Sequence, residues 1–266
     1  YMVSVKELAF PPVPWGSAPP LTPPTAPANA ADEPGLWARQ AVGTSGWPTG
    51  LISDTRIQYR TPLARKEGSL MLNDTYAGVG GLAQVTPAFA AFGPRLSIAP
   101  VDIFELELQA SRLQYVNPGL GLMPFESSSE GGKLSSIRLD RAAQGEGAVT
   151  GGWSFTATPT FKLQLGPIVA FDTWNISFLA LDKPDGTTAD FVYEPYRDQI
   201  VAWNDVSIEH QAALLYTVLP GDDGPMFWIG GTVRDRFNRT SDDQSTAAGA
   251  LIVAKTGTST RVPKIV

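Results

Sequence analysis

Val149-Thr150-Gly151-Gly152-Trp153-Ser154-Phe155-Thr156-Ala157-Thr158-Pro159-Thr160-Phe161-Lys162-Leu163-Gln164-Leu165 alternates two chemistries without a break. Odd positions carry Val149, Trp153, Phe155, Phe161, Leu163 and Leu165; even positions carry Ser, Thr, Lys162 and Gln164. Successive side chains of a strand point to opposite faces, so residues 149–165 read as one strand with an apolar face and a small, polar one. A soluble sheet alternates too, but its buried face usually holds more Val, Ile and Leu, and its solvent face more charge. An aromatic-aliphatic face backed by Thr, Ser and Gln suits a wall between lipid and a confined aqueous lumen.

The rest of the chain has the same character. Charged residues make up 17% of its 266 residues, against about 25% in an average soluble protein. Apolar content is an ordinary 43%, so Gly, Thr, Ser, Pro and Gln fill the difference, a composition of strands and turns. A net charge of -6 argues against nucleic acid as a partner. With no cysteine, the fold must be held by its sheet and core, or by lipid. The opening residues Tyr1-Met2-Val3-Ser4 lack a basic segment followed by an apolar one, which fits either a processed mature form or a chain never exported. Residues 75–94 are uncharged over nearly a membrane-helix length, but Gly78, Gly80, Gly81, Gln84, Thr86 and Pro87 make a helix there unfavourable.

Strand-like segments recur every fifteen to twenty residues from Gly50 onward. Residues 51–61 put Asp54, Arg56, Gln58 and Arg60 opposite Ile57 and Tyr59. Residues 103–116 put Glu105 and Glu107 opposite Phe104, Leu106 and Leu108. Residues 168–181, 191–202, 205–219, 226–237 and 247–255 follow, with weaker segments at 134–140 and 260–266 and the longest loop at 117–132. Ten to twelve strands with Pro/Gly/Asp turns predict an antiparallel sandwich or barrel. Residues 1–49 stand apart as a Pro-rich arm, and 50–266 form the β domain. Phe10, Trp15 and Trp37 are the arm's candidate anchors to a partner; a draped tail and a plug inside the lumen are the other readings.

The two-faced strands 149–165, 206–219 and 225–237, the short Pro/Gly/Asp turns, and Tyr115, Trp174, Trp203 and Tyr216 near strand ends resemble the bacterial outer-membrane β-barrels, the porin-like superfamily. The resemblance covers residues 50–255. It implies an all-β, up-and-down transmembrane barrel in the outer membrane of a Gram-negative cell, with its arm periplasmic or in the lumen. Val149, Trp153, Phe155, Phe161 and Leu163 would then face lipid. Arg56, Arg60, Glu105, Glu107, Lys162, Glu209, Arg234 and Arg236 would face the lumen. One departure is the ending Arg261-Val262-Pro263-Lys264-Ile265-Val266, where such barrels usually close on an aromatic residue.

The chemistry tests point away from an enzyme. His210 is the only histidine and shares parity with Val206, Ile208, Ala212 and Leu214, so it sits on the apolar face. Outer-membrane lipases of this architecture carry a Ser two residues along the face from the His; here those positions hold Ile208 and Ala212. No thiolate or second imidazole supports a transition-metal site. The Asp pairs 182/185, 222/223 and 242/243 lack EF-hand spacing and read as solvated turns. Neither cofactor nor metal is expected. Lumen charges of both signs that pair across the interior would leave it narrow or closed. The leading expectation is therefore a structural or assembly subunit of an envelope complex, in contact with the bilayer and, through the arm, with other envelope proteins. The alternatives are a small porin-like channel and a soluble β-sandwich that binds a ligand.

Overall fold

The structure, a computed structural model, describes residues 34–44, 51–64, 72, 75–117, 121–128, 147–194, 199–219 and 226–255. The expected strands at 134–140 and 260–266, and Phe10 and Trp15, lie outside them.

Thirteen strands run antiparallel in chain order: β1 (Gly35–Thr44), β2 (Leu51–Pro62), β3 (Tyr76–Val85), β4 (Phe89–Val101), β5 (Phe104–Tyr115), β6 (Met123–Phe125), β7 (Gly151–Leu165), β8 (Ile168–Leu181), β9 (Phe191–Glu194), β10 (Gln199–Ala202), β11 (Asn204–Leu219), β12 (Met226–Asn238) and β13 (Gln244–Lys255). Ten of them form one sheet in the order β1-β2-β3-β4-β5-β7-β8-β11-β12-β13, and β10-β9-β6 form a second. The fold is all-β and antiparallel, with no helical element among the described residues. The large sheet is an up-and-down meander, each strand paired with the next strand of that sheet. Its ends stay open: no ladder joins β1 to β13 among the described residues.

Two expectations are corrected. The sheet begins before residue 50, because β1 pairs with β2 along its whole length, from Gly35 opposite Arg60 to Thr44 opposite Leu51. Proline density masked this strand: the crowded prolines end at Pro34, residues 35–44 hold none, and the segment alternates Leu36, Ala38 and Gln40 with Trp37, Arg39 and Ala41. Residues 191–202 do not continue the meander either. They split into β9 and β10, whose sides are buried on both faces. Residues 75–94, tested above as a helix, are instead β3, a tight turn and the start of β4. The Thr86 hydroxyl closes that turn by accepting the backbone N–H of Ala88 and Phe89 at 3.1 and 3.0 Å.

The two ends of the meander differ. At one, β4–β5 and β7–β8 are joined by tight turns, the second through Gly166 in the left-handed region (φ 59°). At the other, the β5–β7 and β8–β11 connections are long, and they supply β6, β9 and β10. This small sheet caps the polar face of the meander. Leu122, Val192, Val201 and Trp203 pack against Phe89, Leu113, Tyr115, Leu179 and Leu181. The Tyr115 hydroxyl donates to Glu194 at 2.6 Å, and Trp203 Nε1 to the Ala189 carbonyl at 2.9 Å. On the far side, Asn238 Nδ2 and the Ser241 hydroxyl both donate to the Ile200 carbonyl. One cap thus touches strands from β4 to the β12–β13 turn. Strands that far apart in the order lie about 24 Å from each other in a flat sheet, so the meander curls around its capped face.

Glycines permit the curl. A Cβ on Gly80 would collide with the Ile57 carbonyl, one on Gly93 with that of Ala110, and one on Gly230 with that of Leu214. All three lie on the capped face. Gly81 and Gly231, one residue on and facing the other way, meet nothing closer than 3.5 and 3.7 Å. At these three strands the backbones crowd on the capped side, as a sheet bent toward that side requires. Gly230→Ala should therefore cost about 1–3 kcal/mol, whereas Gly231→Ala should stay within about 0.5 kcal/mol. Denaturant unfolding of the two single variants checks the contrast.

Candidate functional site

Most charges of the meander lie on the capped face, and the exposed apolar residues lie on the other. On β7, Phe155 is 49% exposed and Ser154 only 3%. Trp153, Phe161, Leu163 and Val149 are exposed with Phe155, as their parity predicts, although β7 itself starts at Gly151. The pattern repeats around the sheet: Ile57, Val79, Phe92, Leu96, Leu108, Ile176, Leu214 and Ile229 are all exposed. Gln58, Arg95, Glu105, Ser177, Ser207 and Arg236 are buried. A sheet that follows the hydrophobic effect in water shows the reverse.

All eight charges expected on the polar face lie there, and sequence neighbours and ladder neighbours neutralise most of them. Arg56 donates to Asp54 through Nε and Nη2, at 2.9 and 3.1 Å, and its Nη1 lies 3.7 Å from Glu107. Gln84 adds a third hydrogen bond to Asp54, at 2.8 Å. Arg95 grips both oxygens of Glu107 and donates to Gln58 at 3.1 Å. Glu105, 2% exposed, accepts from Lys162 at 2.7 Å and from the Tyr76 hydroxyl at 2.5 Å. Glu209 holds Arg234 through two bonds of 2.9 Å and Arg236 through one of 3.1 Å.

Arg60 differs from these: its guanidinium lies between the rings of Trp37 and Tyr76, 4.3 and 4.1 Å from their centroids. Such cation–π contacts are worth about 0.5–2 kcal/mol each when desolvated. Trp37 is therefore a wall residue of β1 and not an anchor on a separate arm. Lys162–Glu105, Arg95–Glu107 and Glu209 with its two arginines join adjacent strands, whereas Arg56 on β2 comes within 3.7 Å of Glu107 three strands away on β5, and Tyr76 on β3 reaches Glu105 two strands away.

Three of the four strand-end aromatics have a different place from the one expected. Tyr115 and Trp203 are buried in the cluster under the cap. Tyr216 is exposed, and Trp174 lies outward in the middle of β8, its ring stacked on His210 at 4.3 Å between centroids.

His210 faces outward, as its parity predicts, but in company that the reading of residues 168–181 and 226–237 missed. Its Nε2 lies 2.8 Å from Asp172 Oδ1 on β8, and its Nδ1 lies 3.8 Å from Asp235 Oδ2 on β12. The signal was present: Asp172 shares parity with Ile168, Trp174 and Ile176, and Asp235 with Ile229, Val233 and Phe237. No serine or cysteine shares that outward face beside the imidazole, as the ladders place Ile208, Ala212, Trp174 and Thr246 around it.

The Asp-bearing turns are engaged locally. Asp182 pairs with Arg112 at 2.7 Å, and Asp243 accepts the backbone N–H of Ile200 at 3.0 Å; Asp222 and Asp223 lie outside the described residues. Among the described residues no group of three His, Asp or Glu side chains is placed to hold a metal ion. Comparison with family models, curated proteins and solved structures gave no match.

Glu209 serves two arginines at little exposure, so its loss takes a charged acceptor from both. Glu209→Gln should lower the unfolding free energy by about 2–3 kcal/mol. Asp182→Asn, which breaks the exposed rim pair with Arg112, should cost under about 1 kcal/mol. Denaturant titration of the two variants measures the difference.

Proposed function

We propose that this chain is a capped, non-conducting outer-membrane-type β-barrel that serves as a structural or assembly subunit of a Gram-negative envelope complex. The observation that carries this reading is the inverted burial of the sheet, with its ion pairs concealed and its aromatic-aliphatic face turned to the surroundings. In water that face would expose apolar area on nearly every strand, far beyond the few hundred Å² that a soluble monomer tolerates. In hydrocarbon the same face is the favourable one, and the charges of the other face are kept from lipid.

Ten antiparallel strands are an even number, so β1 and β13 would meet in antiparallel sense and could close the meander into a barrel without an unpaired edge. The two longest connections, β5–β7 and β8–β11, lie at one end, as the extracellular loops of such barrels do, and β4–β5 and β7–β8 close by tight turns at the other. The cap favours a structural role over a channel, because its buried contacts fill the mouth formed by the long connections. Neutralised wall charges likewise leave no dominant sign to select an ion. Contact with other envelope proteins is assigned to residues 1–33, which carry Phe10 and Trp15.

The protein should float with lipid vesicles, migrate faster unheated than boiled on a denaturing gel, and stay silent in planar bilayers. Phe155→Arg should destabilise the folded form by about 2–4 kcal/mol, with Thr158→Arg on the polar face costing clearly less. A monodisperse protein without detergent, or equal tolerance at both positions, would overturn the membrane reading. Steady ohmic conductance would overturn the structural role in favour of a channel.

A further inference from the structure

The outward face is almost free of charge. Arg112 sits near the end of β5, paired with Asp182. Among the described residues, the other Asp, Glu, His, Lys or Arg side chains on the outward face of the strands are Asp172, His210 and Asp235, and all three stand side by side on β8, β11 and β12. Each is flanked along its own strand by outward apolar residues on both sides: Ala170 and Trp174, Ile208 and Ala212, Val233 and Phe237. They therefore interrupt the apolar band, and do not mark its edge.

The array is not satisfied by its own members. The imidazole is the one ion-pair partner of both carboxylates among the described residues. The Asp172 and Asp235 side chains remain 47% and 43% exposed, on a face where every unpaired carboxylate is costly. Two carboxylates against one imidazole leave a deficit of positive charge.

We propose that this array is the contact point for a membrane-embedded partner segment that brings an arginine or lysine to the level of His210. The proposal rests on the membrane reading given above. A second copy of this chain fits less well: a two-fold axis along the membrane normal would set the same excess of carboxylates against itself. A lipid headgroup fits less well too, since apolar residues flank the array above and below. The partner's cation bridges Asp172 and Asp235, and its apolar flanks cover the shallow surface of Ala212, Gly231 and Ala248 beside them.

The test uses the full chain in phosphatidylcholine vesicles with a dansyl-labelled Leu/Ala peptide of about 20 residues. One form of the peptide carries a single central Arg, the other Leu. Energy transfer from the protein's tryptophans reports association. The Arg peptide should reach half-maximal transfer at about a tenfold lower mole fraction than the Leu peptide, and Asp172→Asn with Asp235→Asn should abolish that preference. Heat-modifiable migration verifies that the double variant is folded. Equal behaviour of the two peptides, or a preference that survives the double substitution, would overturn the proposal. Transfer between labelled copies of the protein that the double substitution removes would also overturn it, naming a second copy as the occupant. Failure of the chain to float with the vesicles would instead bring down the membrane reading on which the proposal stands.

Discussion

Period-two alternation, with most of the charge gathered on one face, is the constraint on which the rest of this structure depends. A strand cannot move one residue in register without turning its whole polar set to the other side. Here that set includes Asp54, Arg56 and Arg60 on β2, Glu105 and Glu107 on β5, and Glu209 on β11. A slip at β2 would break Arg56 from Glu107 and take Arg60 from between Trp37 and Tyr76. The ion pairs thus specify register, whatever their net stabilisation after desolvation, which for buried pairs is often small.

Curvature turns that specified face into an enclosed one. Gly80, Gly93 and Gly230 remove side chains where neighbouring carbonyls approach, all on the polar side. The two long connections then deposit an apolar cluster at one end of the enclosed face, where β4, β5 and β8 contribute Phe89, Leu113, Tyr115, Leu179 and Leu181. The polar face therefore has three zones, an ion-paired stretch, the apolar seat for the cap at one end, and a buried cluster of Val169, Phe171, Leu215 and Trp228 at the other. The Tyr115–Glu194 hydrogen bond and the donors of Asn238 and Ser241 to Ile200 fix the cap in place on opposite sides.

Most of the wall was legible in the sequence because period two is a local property. The faces of residues 51–61, 103–116, 149–165 and 226–237 follow from counting, and all eight expected wall charges lie on the buried face. What failed depended on contacts distant in sequence. Residues 35–44 pass for the end of a Pro-rich arm until β2 supplies a ladder. Residues 191–202 look like one strand, and only the cap's packing divides them. Tyr115 and Trp203 look like boundary aromatics because nothing local reveals the loop that covers them. Asp172 and Asp235 were each readable as outward, but their meeting at His210 requires the order of β8, β11 and β12.

The central claim is that the exposed apolar face contacts hydrocarbon. With no native cysteine, the chain accepts single spin labels without background. Labels placed one at a time from residue 153 to 163 in bilayer-reconstituted protein can be probed with oxygen, which concentrates in lipid, and with a nickel chelate confined to water. The account predicts alternation with period two: oxygen-accessible at 153, 155, 161 and 163, and shielded from oxygen at 154, 156, 158 and 160. Nickel accessibility at 155 and 161 as high as at an exposed turn position such as 185 would contradict it.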